Sequence, residues 1–295
     1  MKITLDQEHL PSSVSLLGRA LLTKGNQPLP ELTVAIPGFV FERAAANRYN
    51  ACCGFAQDSL PLPYLFVATQ PAQLLLLTQP AVSLRLLGMI HTHVSFCQDT
   101  PLEIGVPYDF ELSVGGCWQS DKGMEFELVG RFARNGAQQA EYRSRCLVKR
   151  AKPNPASEPK SHPKASEQAK PEDHDALSPP HWDELERFAL TPKIARGYAA
   201  VSGDYNPIHL HWLTAKPFGF KAPIIHGMYS VARMVAAIDP RVRDIAFSFR
   251  RPAFLPAHTR LEGRQGELRL LNDEGKPLVE AQYRSPSHDS GADNS

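Results

Sequence analysis

The stretch AKPNPASEPKSHPKASEQAKPEDHDALSPP, residues 151–180, divides the chain. Pro, Lys, Ser, Glu and Ala dominate it, and it has almost no apolar side chain to bury. Such a segment cannot offset the entropy of ordering and reads as a disordered linker. It leaves two parts, 1–150 and 181–286, each long enough for its own core. The polar tail 287–295, SHDSGADNS, reads as a second flexible segment.

The two parts read as copies of one unit. Tyr49–Phe55 (YNACCGF) parallels Tyr198–Asp204 (YAAVSGD), with Tyr and Gly in register. Next comes a proline with an apolar run that suits a central helix: Pro63-Tyr64-Leu65-Phe66 in one copy, Pro223-Ile224-Ile225-His226 in the other. HVSFCQDTPLEIG (93–105) then parallels FSFRRPAFLP (247–256), with Pro101 opposite Pro252, and AEYRS (140–144) parallels EAQYRS (280–285). Each match is weak alone, but they occur in the same order. A repeat this long implies a duplicated domain rather than a solenoid.

Within 181–286, Met228, Val231, Ala232, Val235 and Ile238 recur at helical spacing and predict a helix that begins just after Gly227. Ile245, Phe247 and Phe249 alternate with Ala246, Ser248 and Arg250, a half-buried strand. Strands near 267–271 and 278–283 flank the turn Asn272-Asp273-Glu274-Gly275. The first part repeats this order, with a helix over Pro71–Thr78 and strands near 86–96, 108–114, 124–133 and 138–149. A helix followed by several antiparallel strands predicts an α+β layer, with the helix covering one sheet face.

The formal net charge of +1 leaves no global field for nucleic acid or an anionic membrane, so neither is an expected partner. The N-terminus, MKITLDQEHLPSS, has no continuous apolar core. The most apolar region, Pro63 to Leu87, is broken by Pro71, Gln79, Pro80 and Arg85, too soon to span a bilayer. Cys52, Cys53, Cys97, Cys117 and Cys146 are odd in number and lack CxxC spacing, which favours buried thiols over disulfides or zinc ligands. A soluble cytoplasmic protein is expected.

The sharpest chemical signal is VSGDYNPIHLHW (201–212). Asp and Asn bond nearby backbone amides and Pro fixes φ, so Asp204-Tyr205-Asn206-Pro207 is strong turn chemistry. Such a turn lifts the Asp204 carboxylate and the His209 imidazole out of regular structure, where they can converge on one small molecule, most simply water. A carboxylate beside an imidazole makes a general acid–base pair near neutral pH. In isolation the same string is only a turn, and the longer pattern downstream decides between the two.

That pattern is S-G-D-Y-N-P-I-H followed by G-F-K-A-P-I-I-H-G-M (219–228) and F-R-R-P-A-F-L-P (249–256). It resembles the MaoC-like (R)-specific enoyl-CoA hydratases, whose pattern runs S-x-D-x-N-P-x-H, then a helix opened by H-G-M, then F-x-R-P-V. The resemblance spans about residues 198–256. It implies a double hot-dog fold, in which each repeat wraps an antiparallel sheet around a long helix. It also implies an acyl-thioester hydratase/dehydratase of fatty-acid metabolism that needs no cofactor. Asp204 and His209 would activate the water added to a trans-2-enoyl thioester, giving an (R)-3-hydroxyacyl product. Gly227 would supply the backbone N–H that accepts the thioester oxygen, where a helix N-terminus is a fixed donor.

The first copy departs from the pattern. Phe55 stands where Asp204 would, Leu60 at the His209 offset, and Val67 falls opposite Gly227. Residues 1–150 therefore resemble the non-catalytic half of double hot-dog hydratases, with Phe55, Phe66 and Leu74–Leu77 as candidates for an acyl slot or for ordinary core packing. Arg250 and Arg251 could meet phosphates of CoA or of a carrier protein's pantetheine, through the rigid guanidinium fork, or be solvated surface charges. The expected partner is an acyl-CoA or acyl-carrier-protein thioester, and the protein a monomeric pseudo-dimer or a homodimer.

Other readings are weaker. His209, His211 and His226 lack metal-ligand spacing, so no metal is expected. No G-x-S-x-G elbow surrounds Ser202, which disfavours a serine hydrolase. A thioesterase would also need a carboxylate and an oxyanion donor, but His209 favours hydration. A non-catalytic acyl-binding module would need none of the three groups.

Overall fold

Glycines at matching places end one helix in each half and set the chain's direction. The computed structural model describes residues 1–20, 23–25, 27–86, 88–149 and 181–285; the expected linker at 151–180 and tail at 287–295 lie outside these. The first half contains β1 (Lys2–Thr4), α1 (Ser13–Ala20), β2 (Thr33–Val40), α2 (Arg43–Cys53), α3 (Leu62–Ala68), α4 (Gln70–Leu77), β3 (Ile90–Gln98), β4 (Pro107–Ser120), β5 (Gly123–Arg134) and β6 (Ala137–Lys149). The second contains β7 (Asp183–Leu190), α5 (Pro192–Ser202), α6 (Trp212–Ala215), α7 (Gly227–Ala236), β8 (Asp244–Phe249), β9 (Ala257–Arg264), β10 (Glu267–Asn272) and β11 (Pro277–Tyr283). Gly54 after α2 and Gly203 after α5 both adopt positive φ, at 89° and 75°, a left-handed helix end that a Cβ would strain.

The strands form one sheet in the order β1-β2-β4-β5-β6-β3-β8-β11-β10-β9-β7. Apart from β1, that order is a palindrome in which β2 matches β7, β4 matches β9, β5 matches β10, β6 matches β11 and β3 matches β8. At the centre β3 and β8 pair antiparallel, Val94 opposite Phe247 and Phe96 opposite Ile245, as a two-fold relation between the copies requires. The helices obey the same relation: α2 packs on α5 and α3 on α7. Tyr49 and Tyr198, both fully buried, meet with ring centroids 6.1 Å apart.

Phe39, Phe41, Phe110 and Phe132 make an aromatic core beneath the first half of the sheet, with Phe110 and Phe132 4.8 Å apart. In the second half α7 buries Met228, Val231, Ala232 and Met234, and packs on β10. Fully burying each large apolar side chain contributes about 1.5–3 kcal/mol.

Two expectations change. The helix over Pro71–Thr78 is present as α4, but the partner of α7 is α3. Counting from the first helical residue, Leu62 rather than Val67 stands at the place of Gly227. All five cysteines are free; Cys53 and Cys146 are buried, Cys52 and Cys117 half-buried and Cys97 exposed. Among the described residues, no helix is long and apolar enough to cross a membrane.

Candidate active site

Asp204 follows the left-handed Gly203, so it leaves the axis of α5 at once. Its Oδ1 accepts from the Asn206 amide at 3.1 Å, and Asn206 Oδ1 accepts from the Ile208 amide at 3.4 Å. These successive Asx turns open a short 3-10 turn at Pro207–His209 and present both side chains on one side of the loop.

His209 Nδ1 lies 2.9 Å from the Ile224 carbonyl oxygen. A carbonyl only accepts, so Nδ1 carries the hydrogen and Nε2 is left as a bare acceptor. His226, the residue before α7, places Nε2 2.9 Å from the backbone oxygen of Asp204, and its buried Nδ1 has no partner among the described residues. The rings of His209 and His226 stack at 3.9 Å. One donor atom from each of Asp204, His209 and His226 lies within 4.8 Å of the other two.

Burial pushes the Asp204 carboxyl upward, but His226, His209, the Asn206 amide and the Gln70 side chain outweigh it and hold the group below the usual carboxylate value. Burial pulls His209 below the ordinary imidazole value, against the opposing pull of Asp204 and the Ile224 carbonyl. Burial, with His209 adding, brings His226 down to about 4. At neutral pH the site is one carboxylate with two neutral imidazoles, fit to accept and return a proton.

A cavity of about 130 Å³ opens at Asp204. Gly203, Tyr205 and Asn206 border it from the second half; Leu17, Gln70, Leu74, Leu77, Leu86 and Met89 wall it from the first. A larger hollow of about 380 Å³ lies against β7 and β9, among Arg187, His258 and Arg260. His258 and Asp273 also line it, and its guanidiniums are ion-paired, Arg187 to Glu184 and Arg260 to Glu262, each at 2.6 Å. The smaller cavity is the one lined by Asp204, the residue that clusters with His209 and His226.

Gly227 is the first residue of α7, directly after His226, among the amides that have no acceptor within the helix. A Cβ there would come within 2.7 Å of the Phe249 ring, so the glycine is required by that close approach. Phe55 does not line the cavity. Gly54 turns it back onto Tyr49, with the two rings stacked 6.2 Å apart. The expected first-half slot is supplied instead by Leu74 and Leu77, with Leu17, Leu86 and Met89 added. Arg250 and Arg251 also lie away from the cavity. They are exposed and held to β11, Arg250 on Glu280 at 2.6 Å and Arg251 on the Pro277 carbonyl at 2.9 Å. His211 does not join His209 and His226; its Nδ1 accepts from the Leu213 amide at the start of α6.

Three participants escaped sequence reasoning. The sequence offers His226 as a metal ligand alone, although its place at a helix start beside Gly227 is a usable signal. Gln70 and Met89 reach the cavity through tertiary contact that no local pattern encodes.

Residues 180–265 match the family model described as the MaoC like domain. The 3-hydroxyacyl-thioester dehydratase X of Mycobacterium tuberculosis is 30% identical over 243 residues, covering 81% of this chain and 82% of that protein. The crystal structure of HtdX from Mycobacterium tuberculosis superposes with a TM-score of 0.70 at 25% identity, covering 86% of this chain and 100% of the other. That of a MaoC-like dehydratase from Phytophthora capsici matches in fold, with a TM-score of 0.58 at 20% identity over 91% of this chain and 97% of the other. Both halves fall within these superpositions.

Proposed function

The chain belongs to the MaoC-like dehydratase family, with its double hot-dog fold, and from that premise we propose that it interconverts trans-2-enoyl and (R)-3-hydroxyacyl thioesters, using Asp204 and His209 as the acid–base pair. The observation that carries this is the clustering of the Asp204 carboxylate with the His209 imidazole, within 4.8 Å, beside a largely leucine-walled cavity that Asp204 lines.

In hydration, a water held by the pair adds its oxygen to C3 of the enoyl group. One water proton passes to the pair and is returned to C2. Charge that grows on the thioester oxygen faces the amide at the start of α7, Gly227, a donor fixed before the reaction begins. Dehydration is the same path reversed. The apolar wall from the first half suits an acyl chain, which makes that half the chain-binding part and the second half the catalytic one. No step needs a Lewis acid, so we read Asp204, His209 and His226 as acid–base machinery rather than a cation site.

The test supplies (R)- and (S)-3-hydroxyacyl thioesters separately and follows the enoyl-thioester absorbance. Turnover of the (R) isomer alone is expected, unchanged after dialysis against a chelator. Failure to act on either isomer, or a preference for (S), would refute the assignment. Loss of turnover on chelation would return the trio to metal chemistry.

A further inference from the structure

The first half opens with a helix, α1, that has no match in the second half among the described residues. Ser12 starts it, with Oγ accepting from the Ser15 amide at 3.3 Å. Leu16 and Ala20, four positions apart, are buried, and the helix packs on α4. Leu17 and Ala20, three positions apart and so on one side of α1, border the cavity together with Leu74 and Leu77, which are spaced alike on α4. Hydrogen bonds tie α1 and the residues after it to the segment that follows α4. Arg19 donates to the Thr78 carbonyl at 2.9 Å, and Thr23 Oγ1 accepts from the Leu86 amide at 3.3 Å. The Arg85 amide donates to the Gly25 carbonyl at 3.1 Å and the Gln27 amide to the Ser83 carbonyl at 3.0 Å. These ties hold α1 in place as part of the cavity wall.

An acyl chain beyond C3 is apolar, so it gains by lying along the leucines rather than along Tyr205 and Asn206. Sites that enclose a whole drug-sized ligand hold about 300–1,000 Å³. This cavity, at about 130 Å³, has room for a much smaller group. We propose that α1 is the end wall of the acyl pocket, that Leu17 and Ala20 set the longest chain admitted, and that the substrates are short-chain 2-enoyl and 3-hydroxyacyl thioesters. The inference rests on the dehydratase reading above and adds the substrate class to it. The reacting carbons sit at Asp204, and the chain runs between the leucines of α4 until it meets α1. Leu17 fills space that a smaller side chain would open, and Ala20 leaves space that a larger one would fill.

The experiment measures kcat/KM for the coenzyme A thioesters of (R)-3-hydroxybutyrate, (R)-3-hydroxyhexanoate and (R)-3-hydroxydodecanoate in wild type, Leu17→Ala and Ala20→Val. Wild type is expected to lose about tenfold or more between the hexanoyl and dodecanoyl compounds. Leu17→Ala should raise the dodecanoyl-to-butyryl ratio by about tenfold, and Ala20→Val should lower the hexanoyl-to-butyryl ratio by about as much, the usual effect of a methylene or two in an apolar pocket. The ratio is read within each variant, so a change in total activity does not mask it, and general loosening of the fold would not move two variants in opposite directions. Either variant alone still tests the proposal if the other does not fold. Equal action of wild type on the butyryl and dodecanoyl compounds would overturn it, as would ratios that stay put or shift the same way in both variants. If wild type is active and Asp204→Asn is not, while these ratios do not move, only this inference falls. If wild type turns over none of the three compounds, both readings fall.

Discussion

Asp204 and His209 are five positions apart, and local turn chemistry alone brings them together, which is why both were legible in the sequence. His226 and Gln70 were not, because the contact of His226 with Asp204 and the place of Gln70 on the same cavity depend on α7 and α4 arriving from elsewhere in the fold. Burial keeps His209 below the ordinary imidazole value while Asp204 stays ionised. The kcat/KM profile should therefore be flat through neutrality and fall on the acid side only below pH about 6.5, the unperturbed imidazole value. A limb centred above that value would contradict this protonation state. His91 makes a separate prediction about stability. Its ring lies between Phe66 and Phe249, at 5.4 and 4.8 Å, and burial lowers its pKa to about 4. The unfolded chain holds that proton more tightly, so the folded state has its full stability above pH about 6.5 and loses it as pH falls toward 4. The loss amounts to about 3 kcal/mol over that window, from 1.36 kcal/mol per pH unit. In His91→Phe the fall in melting temperature between pH 6.5 and 4 should be visibly smaller; an unchanged fall would place the acid sensitivity elsewhere.

Elements with a strong period could be read before the structure: α7 from its apolar stripe, and β8, β10 and β11 from alternation and the turn at Asn272–Gly275. Those the sequence hid have physical reasons. β7 lies at the edge of the sheet and keeps most side chains in solvent, so its DELERFAL string lacks an apolar face. β2 contains Pro37 and Gly38, where the pairing with β4 shifts register between Ile36 and Phe39 and Gly38 takes a φ of 65°. The start of α7 is the tightest junction: Gly227→Ala would drive a methyl into the Phe249 ring. Overpacking of this kind costs about 1–3 kcal/mol. Denaturant unfolding should show that loss, and a second change, Phe249→Leu, should recover part of it; full wild-type stability in Gly227→Ala would mean the ring yields freely. On the cavity wall, Leu77→Trp on α4 should shift the preference toward shorter acyl chains without lowering turnover of the shortest. An unchanged profile across a chain-length series would remove the wall from substrate binding.

The duplication was visible as four short matches in matching order, and the palindromic sheet follows from it. What no repeat could reveal is that both copies border one cavity, the second bringing Asp204 and the first most of the wall. We propose that the pairing of β3 with β8 inside one chain makes the molecule a pseudo-dimer active as a monomer, which sedimentation at assay concentration tests. Residues 181–285 alone would expose β8 and lose the leucine wall, so this part by itself should have no turnover; activity there would show that the first half is dispensable. The account depends most on Asp204 and His209 acting as one unit on one water. Its direct test is kcat/KM for dehydration in Asp204→Asn, His209→Ala and the double variant, with folding checked by thermal melts. Each single change should lower the rate by about 10²–10⁴, and the double variant should be no worse than the poorer single one. Wild-type turnover in either single variant, or losses that simply multiply in the double one, would contradict it.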